Sequence, residues 1–161
     1  MNLSKESTRR IEFILHSDKT IIALSKFFDH LVQNGDDKYF HPHPFTLEES
    51  TKLASIKHSG LDLYYLAIQN EEILAYGMLR GWDAGFQIPS LGISVHKQAR
   101  GIGISITMME VLHCAARWRG AEGIRLKVHF ENKIARSLYQ KLGYKIIGEE
   151  GNEFVAYYTF K

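Results

Sequence analysis

Gln98-Ala99-Arg100-Gly101-Ile102-Gly103-Ile104-Ser105 reads "QARGIGIS" and sits between an apolar run ending at Val95 and a long segment of helical periodicity. Two readings compete: a plain strand-to-helix turn, or a cradle for phosphate. Backbone N–H groups at a free helix N-terminus, together with the positive end of the helix dipole, supply the donors a polyphosphate needs. Glycine removes the Cβ that would hold a phosphate away, and it admits unusual φ values. Gly101 and Gly103 stand where the chain enters the helix-forming segment 104–119. Arg100 adds charge and Ser105 a hydroxyl. On the glycines alone the plain turn is the stronger reading. A dinucleotide fingerprint needs a glycine where Ile106 stands, and nothing matches the Gly-Lys-Ser/Thr end of a P-loop.

Outward from this stretch the pattern is mixed. Phe86–Val95 ("FQIPSLGISV") reads as a strand with Pro89 inside it. Proline cannot donate a ladder hydrogen bond, so it marks an edge, a bulge or a splayed point. On the other side, Ile104, Met108, Leu112, Ala115 and Ala116 form a helical stripe that ends near Gly120. "IRLKVHF" is a further strand. Asn132 can cap a following helix whose stripe is Ile134, Leu138 and Leu142, with Gly143 as its stop. Earlier in the chain, "IEFIL" is a short strand and Thr20–Gln33 an amphipathic helix. Thr46 and Glu49 form a capping-box pattern for a second helix. "LYYLAIQ" and "ILAYGMLRGW" flank a polar hairpin turn, and "YKIIGEE" with "EFVAYYTF" close the chain. The order is β-α-α-β-β-β-α-β-α-β-β, which is not the steady alternation of a doubly wound fold.

The totals set limits. The 161 residues suit one domain, 1–161, with a proper core. A net charge of +2, with Lys and Arg scattered, gives no case for nucleic acid. Cys114 is the single cysteine, so neither an internal disulfide nor a Cys-rich metal site is expected. The polar start "MNLSKESTRR" lacks the apolar core of a secretion signal, and no run approaches the roughly 20 apolar residues of a membrane span. The expectation is a cytoplasmic protein with no membrane partner.

Taken together, "LGISVHKQARGIGISITMMEVL" and "LKVHFENKIARSLYQKLGYK" resemble two signatures of the GNAT superfamily of N-acetyltransferases. The first is Gln/Arg-x-x-Gly-x-Gly/Ala between a strand and a long helix, filled by Gln98 to Gly103. The second is a strand, an Asn and a helix with "LY..LGF", where Tyr144 replaces the usual Phe. The element order is also the family's. The resemblance spans nearly the whole chain and is strongest from Leu91 to Lys145. It implies an α/β fold of α+β type: a mixed, mostly antiparallel sheet of about seven strands, flanked by four helices, with a splayed strand pair.

It also implies acetyl-CoA as cosubstrate and no metal. Pantetheine would pair with the backbone of Ile93, Ser94 and Val95. The pyrophosphate would rest on the signature, with Gln98, Arg100, Gly101, Ile102, Gly103, Ile104 and Ser105 as cofactor-binding positions. Asn132 would hydrogen-bond the cofactor while capping its helix. Tyr139 would be the general acid. The helical stripe puts Tyr139 on the flank between core and cleft. A phenol of ordinary pKa about 10 can protonate a thiolate whose conjugate acid is near 8.5. A backbone N–H on the splayed strand would meet the developing oxyanion.

The base is less determined, since Phe86–Val95 holds no carboxylate. Ordered waters, Asp83, His41 and His43 are the alternatives. Asp is also a common turn former, and Asp83 lies in "GWDAG". The histidines of "FHPHPF" lack the partners of a metal site and belong to a loop expected to border the acceptor pocket. The expected reaction moves an acetyl group from acetyl-CoA to a primary amine of a small molecule, an amino sugar being one class. The alternatives are a protein N-terminal or lysine acetyltransferase and a non-catalytic acyl-CoA-binding module. Monomer and homodimer both remain open.

Overall fold

The computed structural model describes residues 10–161, so most of the polar N-terminal stretch lies outside the described residues. Seven strands form one sheet: β1 (Glu12–Leu15), β2 (Leu63–Gln69), β3 (Glu72–Arg80), β4 (Ser90–Val95), β5 (Gly123–His129), β6 (Lys145–Glu150) and β7 (Glu153–Thr159). Their spatial order is β1-β2-β3-β4-β5-β7-β6. Every neighbouring pair is antiparallel except β4 with β5. Four α-helices accompany the sheet: α1 (Ile21–Gln33), α2 (Leu47–Ser59), α3 (Ile104–Trp118) and α4 (Lys133–Lys141). This is the mixed, mostly antiparallel architecture that the family resemblance implies.

Two apolar clusters cover the two faces. On one, Leu24, Phe27, Phe28 and Leu31 of α1 pack with Leu53 of α2 onto Tyr64, Leu66, Tyr76 and Met78. On the other, Ile104, Met108, Met109, Leu112 and Ala116 of α3 pack onto Ala75, Leu79, Leu126 and Val128. Each fully buried Leu or Phe contributes on the order of 1.5–3 kcal/mol through lost apolar exposure. Local signals agree with the elements they start. The Thr46 side chain accepts the Glu49 N–H at 3.0 Å and caps α2. The Glu49 carboxylate faces Lys52 at 3.8 Å. Between β2 and β3, Asn70 (φ 49) and Glu71 (φ 66) are both left-handed, as a two-residue hairpin turn of type I′ requires.

Two expectations need correction. The fourth strand starts at Ser90 and not at Phe86. Phe86–Ile88 are exposed loop residues, whereas Pro89 is buried, and its carbonyl accepts the Arg125 N–H at 3.0 Å. The proline thus stands at the strand's entry, where no donor is needed. The second correction concerns α4. Ile134 is 87% exposed, while Tyr139 is 8% exposed and is the buried residue of the helix. The buried face is therefore rotated toward Tyr139, and Ile134 is left outside the core.

Candidate active site

β4 and β5 begin as neighbours and then part. Their register holds for Ser90 with Arg125 and Leu91 with Leu126, and no further. β4 continues to Val95 and β5 to His129 without pairing. Pro89 offers its carbonyl toward β5, so the strand's two-residue period aims the backbone groups of Leu91 and Ile93 the same way. Beyond Leu91 the strand partner is gone, which leaves the N–H and C=O of Ile93 facing the gap. A cleft of about 550 Å³ fills that gap. Ile93, Ser94 and Val95 form one wall; Asn132, Leu138 and Tyr139 form the other.

The glycine-containing turn closes one end of the cleft. Gly101 (φ 80) and Gly103 (φ 87) are both left-handed, and Gly103 caps α3 with no side-chain hydrogen bond. No acceptor among the described residues meets the N–H groups of Gly101 to Ser105; the first bond of the helix runs from Thr107 to Gly103. A Cβ added at either glycine would meet no heavy atom within 4 Å. It would occupy open space in front of a row of free donors. Arg100, Gly101, Ile104 and Ser105 line this end. Gln98, Ile102 and Gly103 lie outside the lining, and Ile102 is 65% exposed. The Arg100 guanidinium is not a free charge, because it donates to Asp36 at 2.6 Å and to the Val95 carbonyl at 3.1 Å. These donors and this shape fit a pyrophosphate carried on a pantetheine arm.

Asn132 uses its Oδ1 to accept the Ala135 N–H at 3.2 Å, which caps α4 and leaves its amide N–H₂ for the cleft. Tyr139, seven residues on, reaches the same cavity. Its hydroxyl has no hydrogen-bond partner among the described residues. Burial pushes its pKa up to about 12. The phenol therefore keeps its proton throughout the range in which enzymes work.

On the far side of the splay lies a groove of about 980 Å³, bordered by Tyr39, Phe40 and His41 of the α1–α2 connection. Tyr39, Phe40 and Lys127 border both spaces, so the two meet at the splay. The three side chains weighed as base differ in placement. Both oxygens of Asp83 are taken by backbone donors, from Leu61 at 2.8 Å and Asp62 at 3.0 Å. His43 is wedged between Phe28 and Phe45, with Nδ1–H donating to the Pro44 carbonyl and Nε2 accepting from Tyr76, each at 2.8 Å. It lies outside the groove's lining. His41 does line the groove. Its Nδ1–H donates to the Asp37 carbonyl at 3.2 Å, which leaves Nε2 as an acceptor.

One cleft residue, Asp36, escaped the sequence reading; it comes from "NGDDKYF", which breaks the first helix, whereas Tyr39 and Phe40 of the same stretch belong to the loop and aromatics expected on the acceptor side. Asp36 meets Arg100 across 64 residues of chain, and Lys38 meets Glu131 at 3.0 Å across 93. Such partners leave no local spacing signal. Among the described residues no group of three or more His, Cys, Asp or Glu is placed to hold a metal, and no helix is long and apolar enough to cross a membrane.

Comparison with known proteins places this geometry. A family model described as an acetyltransferase (GNAT) domain matches residues 60–146. A curated relative from Arabidopsis thaliana, the chloroplastic GCN5-related N-acetyltransferase 6, is 40% identical over 55 residues. That stretch is 34% of this chain and only 19% of the plant protein. Among solved structures, PaiA N-acetyltransferase from Thermoplasma acidophilum in complex with coenzyme A superposes with a TM-score of 0.79 at 15% identity, covering 94% of this chain and 99% of that one. A RimL ribosomal alpha-N-protein acetyltransferase, also in complex with coenzyme A, gives 0.77 at 13% identity, covering 95% and 96%. At such identities these structures speak to the fold.

Proposed function

Because the chain belongs to the GNAT acetyltransferase family, we propose that it transfers an acetyl group from acetyl-CoA to a primary amine of a small molecule by direct attack, with no covalent enzyme intermediate. The supporting observation is one cleft that joins three things: the splayed backbone of Ile93, the uncapped N–H row from Gly101 to Ser105, and the Tyr139 phenol. Acetyl-CoA, when bound, supplies the acetyl thioester.

The chain's own groups account for the rest. The free N–H groups at the start of α3 hold the diphosphate, reinforced by the helix dipole. The exposed backbone of Ile93 pairs with the pantetheine amides as a third strand would. A backbone N–H of β4 at the splay is fixed before reaction and meets negative charge as it develops on the carbonyl oxygen. Tyr139 gives its proton to the departing sulfur. Its raised pKa keeps that proton in place until it is needed. The attacking amine must lose a proton on the groove side, where the free Nε2 of His41 and solvent are the acceptors. The reading places the protein in a cytoplasmic, reducing setting.

The test is thiol release from acetyl-CoA across a panel of amines. Turnover that depends on the amine is expected. Binding of coenzyme A without amine-dependent turnover would leave the chain an acyl-CoA-binding module.

A further inference from the structure

The groove on the acceptor side has two chemically different ends. At one end Phe86 and Ile88, 66% and 37% exposed, stand at the border, with Met78 and Phe40 deeper in. Met78 and Phe40 lie directly against the backbone of Gly92, where an added Cβ would meet both side chains. The exposure of Phe86 does not come from a loose loop. Its N–H donates to the Gly81 carbonyl at 2.9 Å. The turn is clasped by Asp62, which accepts from Gly81 and Asp83, and by Asp83, which accepts from Leu61 and Asp62. An aromatic ring held out in water beside a second apolar side chain, on a pinned backbone and in a groove, is a surface built for a ligand.

Each basic group along this side of the groove already has a partner. Arg80 donates to the Pro42 carbonyl at 2.6 Å. Arg125 is bound to Glu150, as is Lys127. Asp62 and Asp83 hold each other's turns. A hydroxyl-rich ligand would have to compete with these contacts, while an apolar one loses only water. At the other end Glu153 lines the groove, opposite His129 in the β5–β7 register. Its carboxylate makes no ion pair or hydrogen bond with any described residue. From Arg125 to His129 the floor strand advances four residues, about 13 Å at the rise of a β-strand. The groove thus offers an apolar seat and, further along its floor strand, a lone carboxylate whose charge attracts an ammonium from solution.

We propose that the acceptor is a primary amine on an apolar, aromatic body, an arylalkylamine of the phenethylamine kind, with its ring against Phe86, Ile88, Phe40 and Met78, and that the charge of Glu153 steers the cation into the groove without contacting it in the seated pose. An amino sugar fits this groove less well. The inference rests on the amine-acetylation reading above. One matched methylene in an apolar pocket separates ligands by roughly 10–200-fold, so a whole ring gives at least about a tenfold preference in kcat/KM.

The experiment compares phenethylamine, tryptamine, glucosamine, spermidine and a Phe-initiated peptide by thiol release. It also measures phenethylamine affinity by calorimetry on coenzyme A-saturated protein. Phenethylamine or tryptamine is expected to lead by at least about tenfold. Phe86→Ser is expected to raise the KM for phenethylamine about tenfold, leaving coenzyme A affinity and the melting temperature unchanged because the ring is already exposed. Glu153→Gln is expected to weaken calorimetric binding of the amine. A lead for glucosamine, spermidine or the peptide overturns this inference and leaves the transferase reading standing. The absence of turnover with every one of these amines overturns the transferase reading, while calorimetry still decides whether the groove binds aromatic amines.

Discussion

Arg100 donates through its guanidinium to the Asp36 carboxylate at 2.6 Å, joining the loop after α1 to the turn that begins the cofactor cleft. The same loop is tied on the opposite wall by Lys38 to Glu131, and Tyr39 packs over His129 with ring centroids 5.0 Å apart. The loop therefore straps the cleft from one side of the splay to the other. Arg100 and Asp36 are 47% and 21% exposed, so the pair adds at most about 1 kcal/mol to stability. Its role is to hold the strap. We predict that Asp36→Asn lowers coenzyme A affinity several-fold and shifts the melting temperature little. An unchanged affinity in calorimetry would remove the strap from the account.

Tyr139→Phe takes away one hydroxyl that has no partner among the described residues. Folding and coenzyme A affinity are expected to hold. Turnover is expected to fall by roughly 10²-fold or more, the scale of a lost general acid. The pH profile carries a second test. Burial raises the Tyr139 pKa to about 12, so the protonated phenol persists well above pH 10. An alkaline loss of kcat below pH 10 that persists in Tyr139→Phe is then assigned to another group, whereas a limb near pH 10 that disappears in Tyr139→Phe would contradict the raised pKa and leave the general-acid role standing.

Gly103→Val combines two penalties. Its φ of +87 suits glycine and strains a β-branched residue by about 1–2 kcal/mol or more. The new side chain would also fill the open space before the N–H row. A melting-temperature drop of a few degrees and at least a tenfold loss of coenzyme A affinity are expected. Wild-type affinity in a folded Gly103→Val protein would show that the diphosphate rests elsewhere.

Acid stability follows from His16. It is 2% exposed, with Nδ1 at 2.8 Å from the Thr20 hydroxyl and Nε2 at 2.8 Å from the Ser50 carbonyl. Burial lowers its pKa below 6.5, although the Ser50 carbonyl and Asp18 pull the other way. The unfolded chain takes up a proton near pH 6.5 that the folded chain refuses. Stability is therefore full above that pH and falls as pH drops toward the folded pKa, by at most about 1.4 kcal/mol per unit for one group. His43 and His113 are lowered by burial in the same sense. Denaturant midpoints should fall steeply from pH 7 to 5, and less steeply in His16→Gln. A midpoint independent of pH would contradict neutral burial.

What the chain disclosed in advance follows the range of its interactions. Elements with long periodic stripes, such as α3, and turns with strong local chemistry, such as Thr46, were legible because neighbours a few residues apart decide them. The β4–β5 splay was suggested by Pro89 and by the family pattern. The strand nonetheless began at Ser90, since a tertiary bond from Arg125 sets where pairing starts. On α4, apolarity placed Ile134 inside, yet the cleft leaves it exposed and the ring of Tyr139 fills the core beside Tyr144. His41 and His43 look alike in sequence, and only the Tyr76 hydroxyl and the Phe28 ring separate them. The free carboxylate of Glu153 had no signal at all, because its meaning depends on which other charges are already paired.

The central claim is that one cleft binds acetyl-CoA and hands its acetyl group to an amine. The most direct measurement adds purified protein to acetyl-CoA with and without phenethylamine, and follows free thiol alongside the mass of the amine. The account predicts thiol release that tracks protein and amine concentration, matched mole for mole by N-acetylated amine. Saturable coenzyme A binding with no thiol release above buffer, across aromatic, polar and peptide amines alike, would contradict it.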